Sequence, residues 1–184
     1  MLVACQQSIF DVAKGKLDAP VIANGPRSKS EVDAWHAAGA RIFMYANPQV
    51  GNEQPAVYRQ NYGLDLLLAG YDGAMDYAYQ HAFGNIWNDF DDKDYRDHVF
   101  AYPTTHGVVD TVQWEGFREA VDDVRYLSTL IALDHSRSKE QIFQWAKGAM
   151  TNGLAPAGCN RVSSPSMAEV REAIIEEILK VQGQ

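Results

Sequence analysis

Amide, phenol and indole side chains stand at or just after the ends of segments that read as buried strands. The candidates are Asn47, Tyr79, Trp87 and Tyr102. In a parallel α/β fold, the carboxyl ends of the strands carry the functional groups. Aromatic faces stack on the C–H surfaces of sugars, and amides match hydroxyl donors and acceptors. This set therefore predicts a site for a polyhydroxylated ligand.

Aromatic strand residues also fill hydrophobic cores, and that is the interpretation we prefer for Phe43, Met44 and Met75. For Tyr79 and Trp87, which stand beside loop sequence, a core position and a ligand contact both stay open. His81 and His106 each follow a predicted strand and are weaker candidates for ligand contacts.

Several common chemistries lack their motifs in this sequence. It contains no GxGxxG, no GxxxxGK[ST], no GxSxG and no HExxH. The acidic run NDFDDKD lacks the central glycine and the terminal glutamate of a calcium loop, so we expect a solvated loop. Cys5 and Cys159 fit no disulfide framework or zinc pattern. We therefore predict no cofactor and no metal.

Composition limits the domain count and the partners. A chain of 184 residues, 46% of them hydrophobic, can bury one core, so a single domain over residues 1–184 is expected. The formal net charge of −8 disfavours nucleic acid and anionic membranes as partners. No basic segment or apolar run of a signal peptide precedes LVAC, and no stretch matches a membrane helix. We expect a soluble chain and leave its location open.

Strand and helix patterns alternate along the chain. Ser28 or Ser30 can begin a helix that Gly39 ends, and Pro55 can begin one that Gly70 ends. Further helices are expected over Val112–Leu127, Lys139–Thr151 and Pro165–Val181, the first with a buried stripe of Trp114, Phe117, Val121, Val124 and Leu127. The predicted strands are Pro20–Asn24, Ala40–Asn47, Ala74–Gln80 and His98–Pro103.

This order requires crossover connections and therefore a parallel sheet. Barrel-like βα units would occupy residues 20–133, followed by a helical segment over 134–184. Two architectures fit: a doubly wound domain, or half of an eight-stranded barrel, since a full barrel takes roughly 250 residues. Periodicity does not choose between them.

Two stretches, Gly63–Gln80 and Phe100–Leu127, resemble the end of the catalytic barrel of glycoside hydrolase family 123 and its uncharacterised relatives. Gln113 and Ala120 depart from that pattern, where arginine and glycine are expected, and Tyr77 occupies an aromatic position where tryptophan is common. The matching positions are Gly73, Tyr77, Tyr102, Pro103, Glu115, Arg118, Glu119, Asp122, Asp123, Tyr126 and Leu127.

The resemblance implies half of a (β/α)8 TIM barrel, about four parallel βα units, followed by C-terminal helices. The family's substrate-assisted mechanism uses an adjacent Asp-Glu pair, and this sequence contains no Asp-Glu dipeptide. The catalytic residues are therefore unknown, and hexosaminidase-like activity is expected only with a complementary N-terminal half. Alternatives are an inactive glycan-binding or structural subunit, or an unrelated doubly wound domain.

An isolated half-barrel would expose strand edges and an apolar interior, so we expect self-association or a complementary barrel half. A carbohydrate is the expected ligand. On the helix that begins at Val112, Glu115 and Arg118 stand in the first turns, and the resemblance places them at the border of the pocket. Glu119, Asp122 and Asp123 are expected to pair locally with Arg118 or Arg125.

Overall fold

The computed structural model describes residues 2–5, 9–23, 28–51, 53–152 and 165–183. The chain divides into two compact units, Met1–Ala120 and Val121–Gln184. Asn24 and Cys159 lie outside the described residues. The predicted domain boundaries stay a prediction.

The first unit contains a four-stranded parallel sheet, in which the strands lie side by side in the order of the sequence. Its second and third strands lie within or close to predicted strands, and the third and fourth pair through Phe43 with Gly73 and Met44 with Ala74. The first strand was not predicted from the sequence. The strands are β1 Leu2–Cys5, β2 Ala19–Ala23, β3 Phe43–Tyr45 and β4 Gly73–Ala74. A mixed α/β fold with a parallel sheet is therefore confirmed.

The predicted strands Ala74–Gln80 and His98–Pro103 are wrong in extent and pairing. The first leaves the parallel sheet after Ala74, and the second divides into two short strands of separate antiparallel pairs. A turn closed by the Thr104 N–H and the Gly107 carbonyl (2.9 Å) folds the chain back on itself. The antiparallel strands are β5 Gln80–His81 with β6 His98–Val99, and β7 Ala101–Pro103 with β8 Val108–Asp110.

Local end signals set the helices of the first unit. The Ser28 hydroxyl accepts from the Glu31 N–H (3.3 Å) at the start of α2, and Gly39 follows its end at φ 81°. Pro55 opens α3, and Gly70 ends α4 at φ 90°. The helices are α1 Phe10–Ala13, α2 Lys29–Ala37, α3 Pro55–Asn61 and α4 Leu64–Ala69.

Two glycines permit close backbone approach in this unit. A Cβ on Gly63, between α3 and α4, would lie 2.5 Å from the Arg59 carbonyl oxygen. A Cβ on Gly116 would lie 2.2 Å from the Pro55 carbonyl oxygen. The start of helix α5, Val112–Leu133, therefore lies directly against the start of α3.

The core of the first unit lies between the parallel sheet and its helices. Trp35 of α2 is fully buried and meets Phe10 edge to face, with ring centroids 4.8 Å apart. Met44 is buried, which confirms its predicted core position, whereas Phe43 and Met75 are only partly buried. Other fully buried residues of this core include Val32, Ile42 and Tyr58.

The buried face of α5 differs from the predicted stripe. Leu127 is buried as predicted, but Val121 is 40% exposed and Trp114, Phe117 and Val124 are only partly buried. The buried positions follow a neighbouring row of the helix instead, in which Gly116 lies against Pro55 and the buried Asp123 pairs with Arg171. That row is Gln113, Gly116, Ala120, Asp123, Leu127 and Leu130.

The second unit contains the rest of α5 with α6 Lys139–Asn152 and α7 Met167–Gln182. Ser166 and Glu169 form a capping box at the start of α7. Asp123 pairs with Arg171 of α7, so its predicted local pairing is wrong, whereas Glu119 pairs with Arg118 and Asp122 pairs with Arg125 as predicted. Within the described parts of the chain, none of the helices has the length and apolar character needed to cross a membrane.

Candidate functional site

The loops that follow β3 and β4 lie side by side at the carboxyl edge of the parallel sheet. The Met75 N–H donates to the Met44 carbonyl (2.7 Å), so the backbones of β3 and β4 are still in contact where these strands end. Ala46 then adopts φ 55°, a left-handed conformation that turns the first loop. The side chain of Gln49 bridges back to the Tyr77 carbonyl (2.7 Å).

Asp76 joins these two loops through its carboxylate. Its Oδ1 accepts from the N–H groups of Ala46 (3.3 Å) and Tyr77 (2.9 Å). Its Oδ2 lies 2.9 Å from the hydroxyl of Tyr62, which is the residue that follows α3. Burial raises the pKa of the Asp76 carboxyl to about 6, which is typical of functional sites.

Asn47, a predicted site residue, belongs to the same cluster. Its N–H donates to the Tyr62 hydroxyl oxygen (2.6 Å), and its Oδ1 accepts from Asn61 Nδ2 at 3.4 Å. Burial, followed by the charge of Asp76, raises the pKa of Tyr62, so this phenol stays protonated. The cluster therefore fixes the backbone and the side chain of Asn47, and a ligand contact at this residue stays a prediction.

The segment between β5 and β6 packs on the loop after β3. His98 Nδ1 lies 2.6 Å from the Val50 carbonyl oxygen, and a Cβ on Gly51 would lie 2.9 Å from the Asp97 carbonyl oxygen. Aromatic rings are in contact at the start of this segment. The His81 ring centroid lies 5.3 Å from that of Tyr77 and 4.8 Å from that of Phe83. These contacts place the segment at the same edge of the sheet as Asn47.

Trp87 and Tyr102, two predicted site residues, form one stacked pair. Their ring centroids are 5.1 Å apart with planes inclined by 19°, and Trp87 is 55% exposed. Burial, together with the charges of Asp89, Glu53 and Asp97, raises the pKa of Tyr102. The pair is an aromatic surface with carboxylates around its phenol.

Tyr79 lies in a different aromatic contact. Its ring meets Trp114 edge to face, with centroids 6.0 Å apart, and it is 51% exposed. Its carbonyl accepts from the Phe100 N–H (2.9 Å). The structure thus brings Trp87 and Tyr102 together, whereas the ring that Tyr79 contacts is Trp114.

Glu115 and Arg118 pair with each other on the exposed face of α5. Arg118 Nε lies 2.9 Å from Glu115 Oε2, and its Nη2 lies 3.1 Å from Glu119 Oε1. Glu119 also lies 3.7 Å from Arg59 Nη1 of α3. This arrangement is a surface ion-pair network, and a role of Glu115 and Arg118 at a pocket border stays a prediction.

The sequence interpretation missed Asp76 and Tyr62. It placed Asp76 inside a strand and Tyr62 inside a helix, so neither was considered as a site residue. The signal available in the sequence was that Asp76 is the one charged residue within the predicted strand Ala74–Gln80. His106, a weaker candidate, is exposed in the turn between β7 and β8.

A metal centre is not supported by the described part of the chain. Nowhere in that part do three or more histidine, cysteine, aspartate or glutamate side chains form a group that could hold an ion. In the acidic loop, Asp91 and Asp92 instead accept hydrogen bonds from backbone N–H groups nearby in sequence, such as those of Asn85 (2.7 Å) and Asp94 (2.8 Å). These bonds are local turn contacts.

Comparison with known proteins supports the fold. No protein-family model matches the sequence, and no curated protein matches it. Seven solved chains match in structure, among them a family 123 glycoside hydrolase from Clostridium perfringens described for glycolipid glycan hydrolysis. That match has a TM-score of 0.61 at 13% identity and covers 99% of this chain. The chain spans about a third of the hydrolase chain, 34% of its length.

The likeness at this identity defines a fold class: a mixed α/β chain similar to one part of a glycoside hydrolase. The structural neighbour belongs to the family that the sequence resembles.

Proposed function

We propose that this chain is the C-terminal half of a glycoside hydrolase-like barrel and supplies walls of a carbohydrate site. The observation that carries the proposal is the stacked Trp87–Tyr102 pair, in which the exposed Trp87 belongs to the segment between β5 and β6 and the partly buried Tyr102 belongs to β7. An exposed indole in offset contact with a second ring is a suitable surface for the C–H face of a sugar.

Polar groups of the proposed walls would match the hydroxyl groups of a sugar. Asn47 brings an amide from the loop after β3, and Asp89 and Asp97 contribute charge beside Tyr102. Tyr79, Glu115 and Arg118 complete the proposed walls. Few nucleophiles accompany this set, so we assign it binding and no catalytic residue.

The strand order supports a barrel over a doubly wound sheet. Doubly wound sheets reverse their strand order at a switch point, where the ligand binds. In the described residues, the parallel sheet runs β1-β2-β3-β4 without a reversal. The neighbour from Clostridium perfringens, a glycoside hydrolase, further supports a glycan-related role.

The absence of an Asp-Glu dipeptide implies that this chain alone does not hydrolyse glycosides by the family's mechanism. We propose that a complementary barrel half, in a second copy, a partner or a longer polypeptide, would complete it. The second candidate function is an inactive glycan-binding or structural subunit, which the same absence favours.

Two assays test the proposal. Calorimetric titration with methyl glycosides of N-acetylgalactosamine and N-acetylglucosamine should show binding that Trp87→Ala abolishes and Val12→Ala, an exposed change on α1, leaves intact. Aryl glycosides of the same sugars should not be turned over by the chain alone. Binding without turnover after addition of a complementary half would favour the inactive subunit, and turnover by the lone chain would refute the proposed incompleteness.

A further inference from the structure

Three segments of the first unit meet around the phenol oxygen of Tyr62. The Asn47 N–H donates to this oxygen at 2.6 Å. Two acceptors also lie within hydrogen-bond distance of it: the Pro48 carbonyl oxygen at 2.6 Å and Asp76 Oδ2 at 2.9 Å. A phenol carries one hydrogen. Tyr62 can therefore satisfy Pro48 or Asp76, but not both, while Asp76 is ionised.

A proton on Asp76 removes this conflict. Its Oδ2–H then donates to the Tyr62 oxygen, and the Tyr62 hydrogen goes to the Pro48 carbonyl. Its Oδ1 still accepts from the N–H groups of Ala46 and Tyr77. The protonated arrangement uses every donor and acceptor, whereas the ionised one leaves one acceptor without its hydrogen.

The surroundings favour a carboxyl that changes protonation near neutral pH. Burial raises the pKa of Asp76 to about 6, although the hydrogen bonds to Tyr62, Tyr77 and Ala46 lower it in part. The titratable groups that face Asp76 are Tyr62, with Tyr58 beyond it, and Tyr77 next in the chain.

The imidazoles of His81 and His98 lie against the Tyr77 ring, with centroids 5.3 and 5.8 Å from that of Tyr77. Histidine is the side chain that ordinarily changes charge in this pH range. The Asn47 amide, which bonds directly to Tyr62, is therefore the better reporter of Asp76 than the Tyr77 ring.

We propose that Tyr62 and Asp76 form a proton-dependent positioning pair that fastens the loop after β3 to the loop after β4. The pair is closed while Asp76 carries the proton, and it loosens at Pro48 when the carboxyl ionises. Asn47, one of the proposed sugar-binding residues, lies on the first of these loops, so the pair also sets the position of that residue. Only this last consequence rests on the proposed function.

Asp76→Asn tests the pair directly, because an amide reproduces the protonated hydrogen-bond pattern. Its Nδ2 can donate to Tyr62 while its Oδ1 accepts the two backbone N–H groups. In wild-type protein, the Asp76 carboxyl carbon and the Asn47 amide should titrate in NMR spectra with one midpoint at about pH 6. In Asp76→Asn, the Asn47 amide should stay at its low-pH position throughout.

Tyr62→Phe keeps the carboxyl and removes the phenol that links it to Asn47. The Asp76 carbon should still titrate, and the Asn47 amide should no longer follow it. Asp33→Asn on α2 is the exposed control and should change neither titration. If Asp76→Asn does not fold, the wild-type and Tyr62→Phe spectra decide.

Separate midpoints for Asp76 and Asn47 in wild-type protein, or an Asn47 titration that survives in either variant, would overturn the proposal. No sugar is needed for these measurements. A failure of glycan binding would therefore refute the proposed function and leave this result standing.

Discussion

Arg171 Nε lies 2.5 Å from Asp123 Oδ1, which joins α7 to α5 across 48 residues of sequence. The Asp123 side chain is fully buried, and Arg171 also lies over the Tyr126 ring, with its guanidinium carbon 5.6 Å from the centroid. A charge buried in this way is tolerated because its partner is held in place.

Removing Arg171 should leave Asp123 buried without its ion partner. We expect Arg171→Ala to lower the free energy of unfolding of the second unit by about 3–5 kcal/mol, measured by urea denaturation. Arg125→Ala, which removes an exposed ion pair with Asp122 on the same helix, should cost less than about 1 kcal/mol. Equal losses would contradict a buried pair at Asp123.

The contact between α5 and α3 can be tested with a pair of glycines. Gly116→Ala would place a Cβ 2.2 Å from the Pro55 carbonyl oxygen, so the backbones must separate and stability should fall by about 1–3 kcal/mol. Gly148→Ala in α6 meets nothing within 4 Å and should stabilise its helix by up to about 1 kcal/mol. Thermal unfolding of both variants measures this, and a neutral Gly116→Ala would be inconsistent with the close approach.

Asp76 should make stability depend on pH in the direction opposite to an ordinary ion-paired acid. Its pKa rises from 3.8 to about 6 on folding, so the folded state binds the proton more tightly. This contribution is present at low pH and is lost as the pH rises through about 6, with a size on the order of 3 kcal/mol.

Comparison with Asp76→Asn isolates that contribution. Unfolding in urea should show the variant gaining stability relative to wild-type protein between about pH 4.5 and about pH 7.5. Asp33→Asn serves as the exposed control and should show no such gain. A difference from wild-type protein that is the same at both pH values would mean that the Asp76 pKa does not rise on folding.

Arg118 tests whether the charged face of α5 borders the proposed site. If it does, Arg118→Ala should weaken binding of the N-acetylhexosamine glycosides by roughly 5- to 10-fold, equivalent to about 1–1.4 kcal/mol. Its surface ion pairs with Glu115 and Glu119 predict a change in folding stability below about 1 kcal/mol. Arg125→Ala on the same helix is the matched control, and equal affinities for the two variants would exclude Arg118 from the site.

Local signals predicted several helix ends correctly. Ser28 precedes a helix whose third N–H it accepts, and Pro55 and Gly70 stand at a helix start and a helix end. Each of these residues acts through backbone conformation or through a bond to a near neighbour. Information of that kind is contained in a few consecutive residues.

Features that depend on distant partners could not be predicted in the same way. Asp76 becomes a site residue because Tyr62 and Ala46 approach it after folding. Asp123 is buried and pairs with Arg171, which is 48 residues away in sequence. The buried face of α5 therefore includes Asp123 and not Val121, which the apolar spacing had predicted. The aromatic composition indicated Trp87 and Tyr102 separately, but their stacking required the fold.

The indole N–H of Trp87 offers the most direct test of the proposed carbohydrate site. The chain has four tryptophans, and buried Trp35 supplies an internal reference in the same spectrum. In an NMR titration with the N-acetylgalactosamine and N-acetylglucosamine glycosides, we expect a saturable shift of the Trp87 signal with the Trp35 signal unchanged. An unshifted Trp87 signal at saturating concentrations of both sugars would contradict it.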